Sequence, residues 1–261
     1  MSASDWAFVT GGGGDIGGAI CQALARDGYG IACVDINADR AEEVCAAIGR
    51  AGGQAVALQA DVTEPASVNA AVRAASALGK ITSLVNTAGK ANGRSIFTTD
   101  YATWRADIAV NLDSAFLCIQ ALRDQLIARQ GNIVSIASVN GMGVFGFPSY
   151  SVAKAGLIQL TKSLAVELGP HGVRVNAVAP GSVRTRAWTA RHEANPGLFD
   201  DLQALCPLPR LSTPPDVANA VAFLVSDRAS MITGAVLAVD GGLSTGVPAV
   251  GRTVAQLPKQ G

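Results

Sequence analysis

The chain has 261 residues, 49% of them hydrophobic and only 15% charged, which is enough apolar material for a large core. Twenty basic and twenty acidic side chains cancel, excluding any global attraction to nucleic acid or an anionic membrane. No apolar run approaches the roughly 18 residues of a membrane span, and so low a charge content suggests surface covered by partner subunits.

The predicted elements alternate. Met1–Asp5 lacks the basic and apolar regions of an export signal, so a cytoplasmic location is expected. It runs into an apolar strand at Trp6–Thr10. A helix follows over Ile16–Arg26, with Ile20, Ala23 and Leu24 on one face. Ile31–Ile36 reads as a strand, Asp39–Arg50 as a helix, and Ala55–Gln59 as a strand. A helix over Pro65–Leu78 has Thr63 as its expected cap and Pro65 in its first turn. A strand at Ile81–Asn86 precedes one long helix spanning roughly Tyr101–Arg129. Then come a strand at Asn132–Ser138, a helix at Ser149–Gly169, a strand at Val173–Ala179, a helix at Pro215–Ser226 and a last strand at Ala235–Val239. Continuous apolar strands alternating with helices predict a single α/β domain over residues 1–261, a parallel sheet covered on both faces. The stretch Arg184–Thr213 breaks the rhythm and reads as an active-site lid. Residues 246–261 read as a weakly ordered tail or a partner-contacting arm. The five cysteines lack Cys-x-x-Cys spacing and read as reduced, packed thiols.

Two places carry chemistry. The first is Thr10-Gly11-Gly12-Gly13-Gly14-Asp15-Ile16-Gly17, between the first strand and the first helix. Glycines there let the backbone approach a pyrophosphate, and the helix N-terminus offers free N–H groups. Asp35, eighteen residues after Gly17, ends the second strand where an acid accepts from the adenine ribose hydroxyls and repels a 2′-phosphate. No arginine or lysine lies at 12–16 or 36–38, so NAD is expected over NADP. Asp61-Val62 stands where an adenine amino group would be bound, and Asn86-Thr87-Ala88-Gly89 ends the fourth strand; ordinary turn chemistry is the alternative for both.

The second is Tyr150-Ser151-Val152-Ala153-Lys154, with Ser138 twelve residues upstream. On a helix, residues four apart share a face. An ammonium about 4 Å from a phenol at an effective dielectric of about 20 contributes about 4 kcal/mol, enough to draw the phenol from its usual value of about 10 down toward about 7. The phenol then exchanges protons with an alcohol or carbonyl, and Ser138 donates to the same oxygen.

With these residues in order, the chain resembles the short-chain dehydrogenase/reductase family in its compact single-domain branch. The resemblance spans about residues 5–245 and rests on the glycine loop, Asp61-Val62, Asn86-x-Ala88-Gly89, Asn111, Ser138, Tyr150-x-x-x-Lys154 and Pro180-Gly181-Ser182-Val183-Arg184-Thr185. It implies a seven-stranded doubly wound sheet and a homotetramer built through the two long helices. Tyr150 would be the acid/base, Ser138 the carbonyl-orienting donor and Lys154 the ligand of the nicotinamide ribose. Asn111 would anchor a proton-relaying water chain, and Val183 and Thr185 would hold the carboxamide. The chain departs from the family at Asp15, where a glycine is usual. Gly14 can move the turn one residue earlier, giving Gly11-x-x-Gly14-x-x-Gly17, and Asp15 would then cap the first helix.

The expected activity is hydride transfer between NAD(H) and a secondary alcohol or ketone such as a sugar, polyol, steroid or cyclic diol. A 3-ketoacyl-thioester reductase using NADPH and a catalytically silent dinucleotide-binding scaffold are the alternatives. The substrate is expected against the apolar segment 140–147 and the lid. The lid's Arg184, Arg186, Arg191 and His192 either grip an anionic substrate or are solvated charges. His171 and His192 are too isolated for a metal site.

Overall fold

The computed structural model describes residues 5–246, 250 and 254–256; most of the tail expected over 246–261 lies outside them. Seven parallel strands form one sheet in the order β3-β2-β1-β4-β5-β6-β7. They are β1 (Asp5–Thr10), β2 (Gly30–Asp35), β3 (Ala55–Gln59), β4 (Lys80–Asn86), β5 (Asn132–Ile136), β6 (Arg174–Pro180) and β7 (Val236–Val239). Strand β1 shows why the sheet is buried on both sides. Ala7 and Val9 face one core with Ile20, Leu24 and Val221, while Trp6 and Phe8 face another with Leu84, Leu122 and Leu126.

The helices divide accordingly. Helices α1 (Asp15–Arg26), α2 (Ala38–Arg50) and α9 (Pro214–Val225) cover the first face; α3 (Pro65–Ser76), α5 (Ser114–Arg129) and α6 (Pro148–Leu168) cover the second. No helix among the described residues is long and apolar enough to cross a membrane.

Two local expectations need correction. The helix expected as one piece over 101–129 is α4 (Tyr101–Ile108), a π turn at Ala109–Asp113, then α5. The N-cap of α3 is Glu64, not Thr63; the Thr63 N–H and hydroxyl donate instead to Asp61 Oδ1, at 2.9 and 2.6 Å. The stretch expected as a lid holds a 3₁₀ turn at Arg186–Trp188 and short helices α7 (Thr189–Ala194) and α8 (Leu198–Ala204).

Strand order places the site. The chain moves outward from β1 through β2 to β3, then crosses back to β4 on the other side of β1. The connections leaving β1 and β4 therefore diverge and open a crevice at the carboxyl edge, the usual ligand position in such sheets. Thr10 is in register with Asn86, and Asn86 with Ser135, so the predicted site residues emerge along one edge.

Candidate active site

At the dinucleotide end, Gly11 takes φ +62°, a conformation open to glycine. Its carbonyl accepts from Gly14 N–H at 3.0 Å, closing the turn one residue earlier than the family's usual loop. Gly14 is the N-cap of α1, and no side chain caps that helix. The first N–H groups of Asp15, Ile16 and Gly17 thus lack intrahelical acceptors. A Cβ on Gly11 would come within 2.9 Å of the Ala88 backbone, and one on Gly17 would overlap the Gly11 carbonyl. Thr10 Oγ1 accepts from the N–H groups of Thr87 and Ala88, at 3.0 and 3.2 Å, tying β1 to the end of β4.

The role expected for Asp15 as a cap is overturned. It is already helical, and its carboxylate accepts from the Arg186 backbone N–H at 2.6 Å and from Arg186 Nε. Its charge is matched by a guanidinium from the lid. Asp35 accepts from Gly13 N–H at 3.0 Å and Asn37 N–H at 2.9 Å, which places a carboxylate at the end of β2 beside the turn. The sequence reading missed Arg40. A Cβ on Gly13 would meet Arg40 Cβ at 2.8 Å, so the first turn of α2 roots an exposed arginine side chain beside the same loop.

Asp61 is committed to the turn with Thr63, and its N–H donates to Ser67 Oγ at 3.0 Å; Val62 beside it is buried. Asn86 donates to Ser135 Oγ at 3.3 Å, while its Oδ1 and Thr87 Oγ1 are buried without partners among the described residues. Gly181 N–H donates to the Val239 carbonyl at 3.1 Å, just past Pro180 at the end of β6. Val183 forms a bridge with Ser212, and Arg184 N–H donates to the Ser212 carbonyl at 2.9 Å. The lid therefore leaves and re-enters the body at one point, with Thr185 next in the chain.

The catalytic candidates converge below. Lys154 is 3% exposed and donates from Nζ to the Ile136 carbonyl at 2.7 Å. It lies 5.6 Å from the centre of the Tyr150 ring, and Ser138, near enough to the Tyr150 hydroxyl to pull its pKa down, donates from Oγ to Asn140 Oδ1 at 3.3 Å. A Cβ on Gly89 would come 2.7 Å from Asn111 Oδ1 and 3.4 Å from Lys154 Nζ. Asn111 sits in the π turn, where its amide donates to the carbonyls of Lys90 at 2.7 Å and Asp107 at 2.9 Å, and its Oδ1 accepts from Lys90 N–H at 3.2 Å. The polar residue in a helical stretch holds the chain that leaves β4.

The electrostatics run opposite to the sequence expectation. Burial raises the Tyr150 phenol above its usual value, and the Ser138 hydrogen bond only partly offsets this. Burial brings Lys154 down to about 7. Desolvation disfavours both charged forms, a cost that a charge–charge estimate at fixed dielectric leaves out.

Two polar residues escaped the sequence reading. Asn140 N–H donates to Ser138 Oγ at 3.2 Å, and its Nδ2 donates to the Gly146 carbonyl at 3.0 Å and Ser151 Oγ at 3.1 Å, fixing the loop before Tyr150. Asp107, wholly buried, accepts from Ser149 Oγ at 2.5 Å, Gly93 N–H at 3.0 Å and Asn92 Nδ2 at 2.8 Å. These hydrogen bonds keep its carboxyl below the usual range against the desolvation that would raise it. An acid facing a serine 42 residues away has no short-range signature.

Comparison with known proteins agrees with this geometry. The enoyl-(acyl carrier protein) reductase family model matches residues 13–244. A 2-(S)-hydroxypropyl-CoM dehydrogenase of Xanthobacter autotrophicus is 38% identical over 90% of this chain and 95% of its own. An oxidoreductase of the short-chain dehydrogenase/reductase family from Burkholderia thailandensis superposes with a TM-score of 0.88 at 37% identity, covering 98% of each chain. This chain belongs to the short-chain dehydrogenase/reductase family. A galactitol 2-dehydrogenase (L-tagatose-forming) from Cereibacter sphaeroides, 39% identical over 90% of this chain and 93% of its own, is similar too. As a short-chain dehydrogenase/reductase, the protein is an oxidoreductase acting on CH–OH groups with a nicotinamide dinucleotide.

Proposed function

We propose that this protein is an NAD-dependent dehydrogenase of secondary alcohols, with Tyr150, Ser138, Lys154 and Asn111 as its working residues. The carrying observation is the convergence of Ser138, Tyr150 and Lys154 beside Gly89, at the edge where the glycine turn opens. The residues present suit a dinucleotide. The uncapped start of α1 faces the glycine turn, and Asn86 Oδ1 and Thr87 Oγ1 stand buried and unpaired nearby. Gly11, Gly14, Asp15, Ile16 and Gly17 would surround the pyrophosphate, and Asp35, Asp61 and Val62 the adenosine. Asn86, Ala88, Gly89, Pro180, Gly181, Val183 and Thr185 would surround the nicotinamide half.

When bound, the dinucleotide supplies a ring that accepts or returns the electron pair of a C–H bond. The protein handles the proton. Ser138 donates to the substrate oxygen. Tyr150 takes the hydroxyl proton when an alcohol is oxidised and gives it back when a ketone is reduced. Lys154, brought to about 7 by burial, stands beside the Tyr150 ring while its Nζ is held by the Ile136 carbonyl. Asn111 holds the Lys90 backbone, next to the Gly89 that packs beside Lys154 Nζ. The names of the two similar dehydrogenases, for a hydroxypropyl and a hexitol substrate, support a hydroxyl-bearing carbon as the reacting centre.

Asp35 supports NAD, because a carboxylate at the end of β2 repels a 2′-phosphate. Arg40 beside Gly13 favours a second reading, NADP with the guanidinium neutralising that phosphate. Fluorescence titration separates them: NADH binds at least about tenfold tighter than NADPH, and Asp35→Ala removes the preference. Equal affinities in the unaltered protein contradict the NAD reading. We further infer a single domain over 1–261 with its lid at 184–213, a homotetramer, and a cytoplasmic home.

A further inference from the structure

The four lid arginines have different surroundings, Arg210 being paired with Asp216. Arg186 is engaged with Asp15. Arg184 lies over the Phe199 ring at 4.6 Å, beside a cavity of about 460 Å³ that Asp15, His192 and Glu193 also line. Arg191 lies between two rings from different segments, 5.2 Å from Phe147 and 5.1 Å from Trp188. Among the described residues it has no carboxylate partner.

Phe147 belongs to the segment 140–147 expected to meet the substrate and is the N-cap of α6, three residues before Tyr150. Its backbone is left-handed, with φ +53°, and its carbonyl accepts from Ser151 N–H at 2.8 Å. Trp188 belongs to the lid. Arg191 thus bridges the lid and the segment that leads into α6, its Phe147 neighbour standing three residues before Tyr150 in the chain. Rings over a guanidinium hold its charge in place and shed part of its water, leaving N–H edges to meet a planar anion in a two-pronged contact.

We propose that Arg191 is a substrate-selecting residue that receives a carboxylate-type anionic group on the alcohol, while the carbinol lies against Ser138 and Tyr150. The substrate class is therefore hydroxy acids rather than neutral alcohols. The proposal rests on the dehydrogenase reading above and narrows it.

The test uses matched pairs: 3-hydroxybutyrate, 4-hydroxypentanoate and 4-hydroxycyclohexanecarboxylate, each with its neutral primary amide. NADH formation gives kcat and KM, and calorimetry gives binding of each compound to the NADH complex. The unaltered enzyme prefers at least one acid over its amide. Arg191→Gln lowers that acid-to-amide ratio of kcat/KM about ten- to a hundredfold, chiefly through KM, as expected for one charge-assisted contact. Arg191→Lys recovers only part of it. Acid binding to the NADH complex weakens by the same factor, while NADH affinity confirms an intact fold. Amides turned over as well as acids, or an unchanged ratio in Arg191→Gln, overturns the proposal and leaves the dehydrogenase reading standing. If tight NADH binding comes with no turnover of any alcohol in a broader panel, the underlying reading falls and takes the proposal with it.

Discussion

Lys154 is nearly inaccessible, its hydrogen-bond acceptor is a neutral carbonyl, and burial brings it to about 7. The unfolded chain holds that proton up to about pH 10.5. The penalty for burying the ammonium is therefore present in full below about pH 7 and fades as the pH rises toward 10.5. Lys154→Met is expected to raise the melting temperature, stabilising the fold by about 1–3 kcal/mol after the lost bond to the Ile136 carbonyl is counted. The gain is larger at about pH 6 than at about pH 9; thermal melts at both pH values check the sign, and turnover falls despite the added stability. Asp107 makes a different demand. Removing its partner hydroxyl with Ser149→Ala leaves a buried carboxylate short of one donor and costs about 1–3 kcal/mol in a denaturant titration. Tyr150 and Lys154 were legible as a pair because helical spacing is local, and Ser138 by its hydroxyl chemistry, whereas the role of Asn111 came with the family resemblance. The sign of the Tyr150 shift was not legible, because desolvation depends on what the fold packs around a side chain. Asp107 was missed because its partner Ser149 is 42 residues away, and Arg40 because it stands two residues beyond 36–38.

At the scale of elements, the lid is fastened at both ends by arginines. Arg186 joins its start to the glycine turn through Asp15. Near its end, Arg210 grips Asp216 at the start of α9 with two bonds of 2.6 and 2.7 Å, holding that carboxyl well below its usual range. The unusual acid in the glycine turn thus has a partner 171 residues away, which no short window of sequence displays. Asp15→Gly restores the family's residue and frees the lid. Stopped-flow dissociation of NADH is expected to quicken about three- to tenfold in Asp15→Gly and in Arg186→Gln, with the double variant little faster than either single one. Additive effects would mean the two act separately. Strands and most helices were readable from apolar runs and breakers. The π turn was not, because one extra residue barely disturbs helical periodicity, although asparagine within it was a sign of polar work.

Across the whole molecule, the parallel order of seven strands was implied by the alternation of elements and the family resemblance, and the crevice follows from the reversal at β1. The surface adds what strand order does not. Phe116 on α5 and Val166 on α6 are exposed, at 49% and 79%, apolar side chains on the two long helices inferred to join subunits. Val166→Glu is expected to shift sedimentation from a tetramer to a smaller species; an unaltered protein that already sediments as a monomer contradicts this inference.

The central claim concerns where a hydride and a proton go, and isotope transfer tests it most directly. An alcohol substrate deuterated at its carbinol carbon should pass the label to the nicotinamide ring, read by mass spectrometry of the NADH formed. Tyr150→Phe should bind NADH normally yet form labelled NADH at least about a thousandfold more slowly. NADH formed without the label, or labelled as fast by Tyr150→Phe as by the unaltered enzyme, contradicts the account.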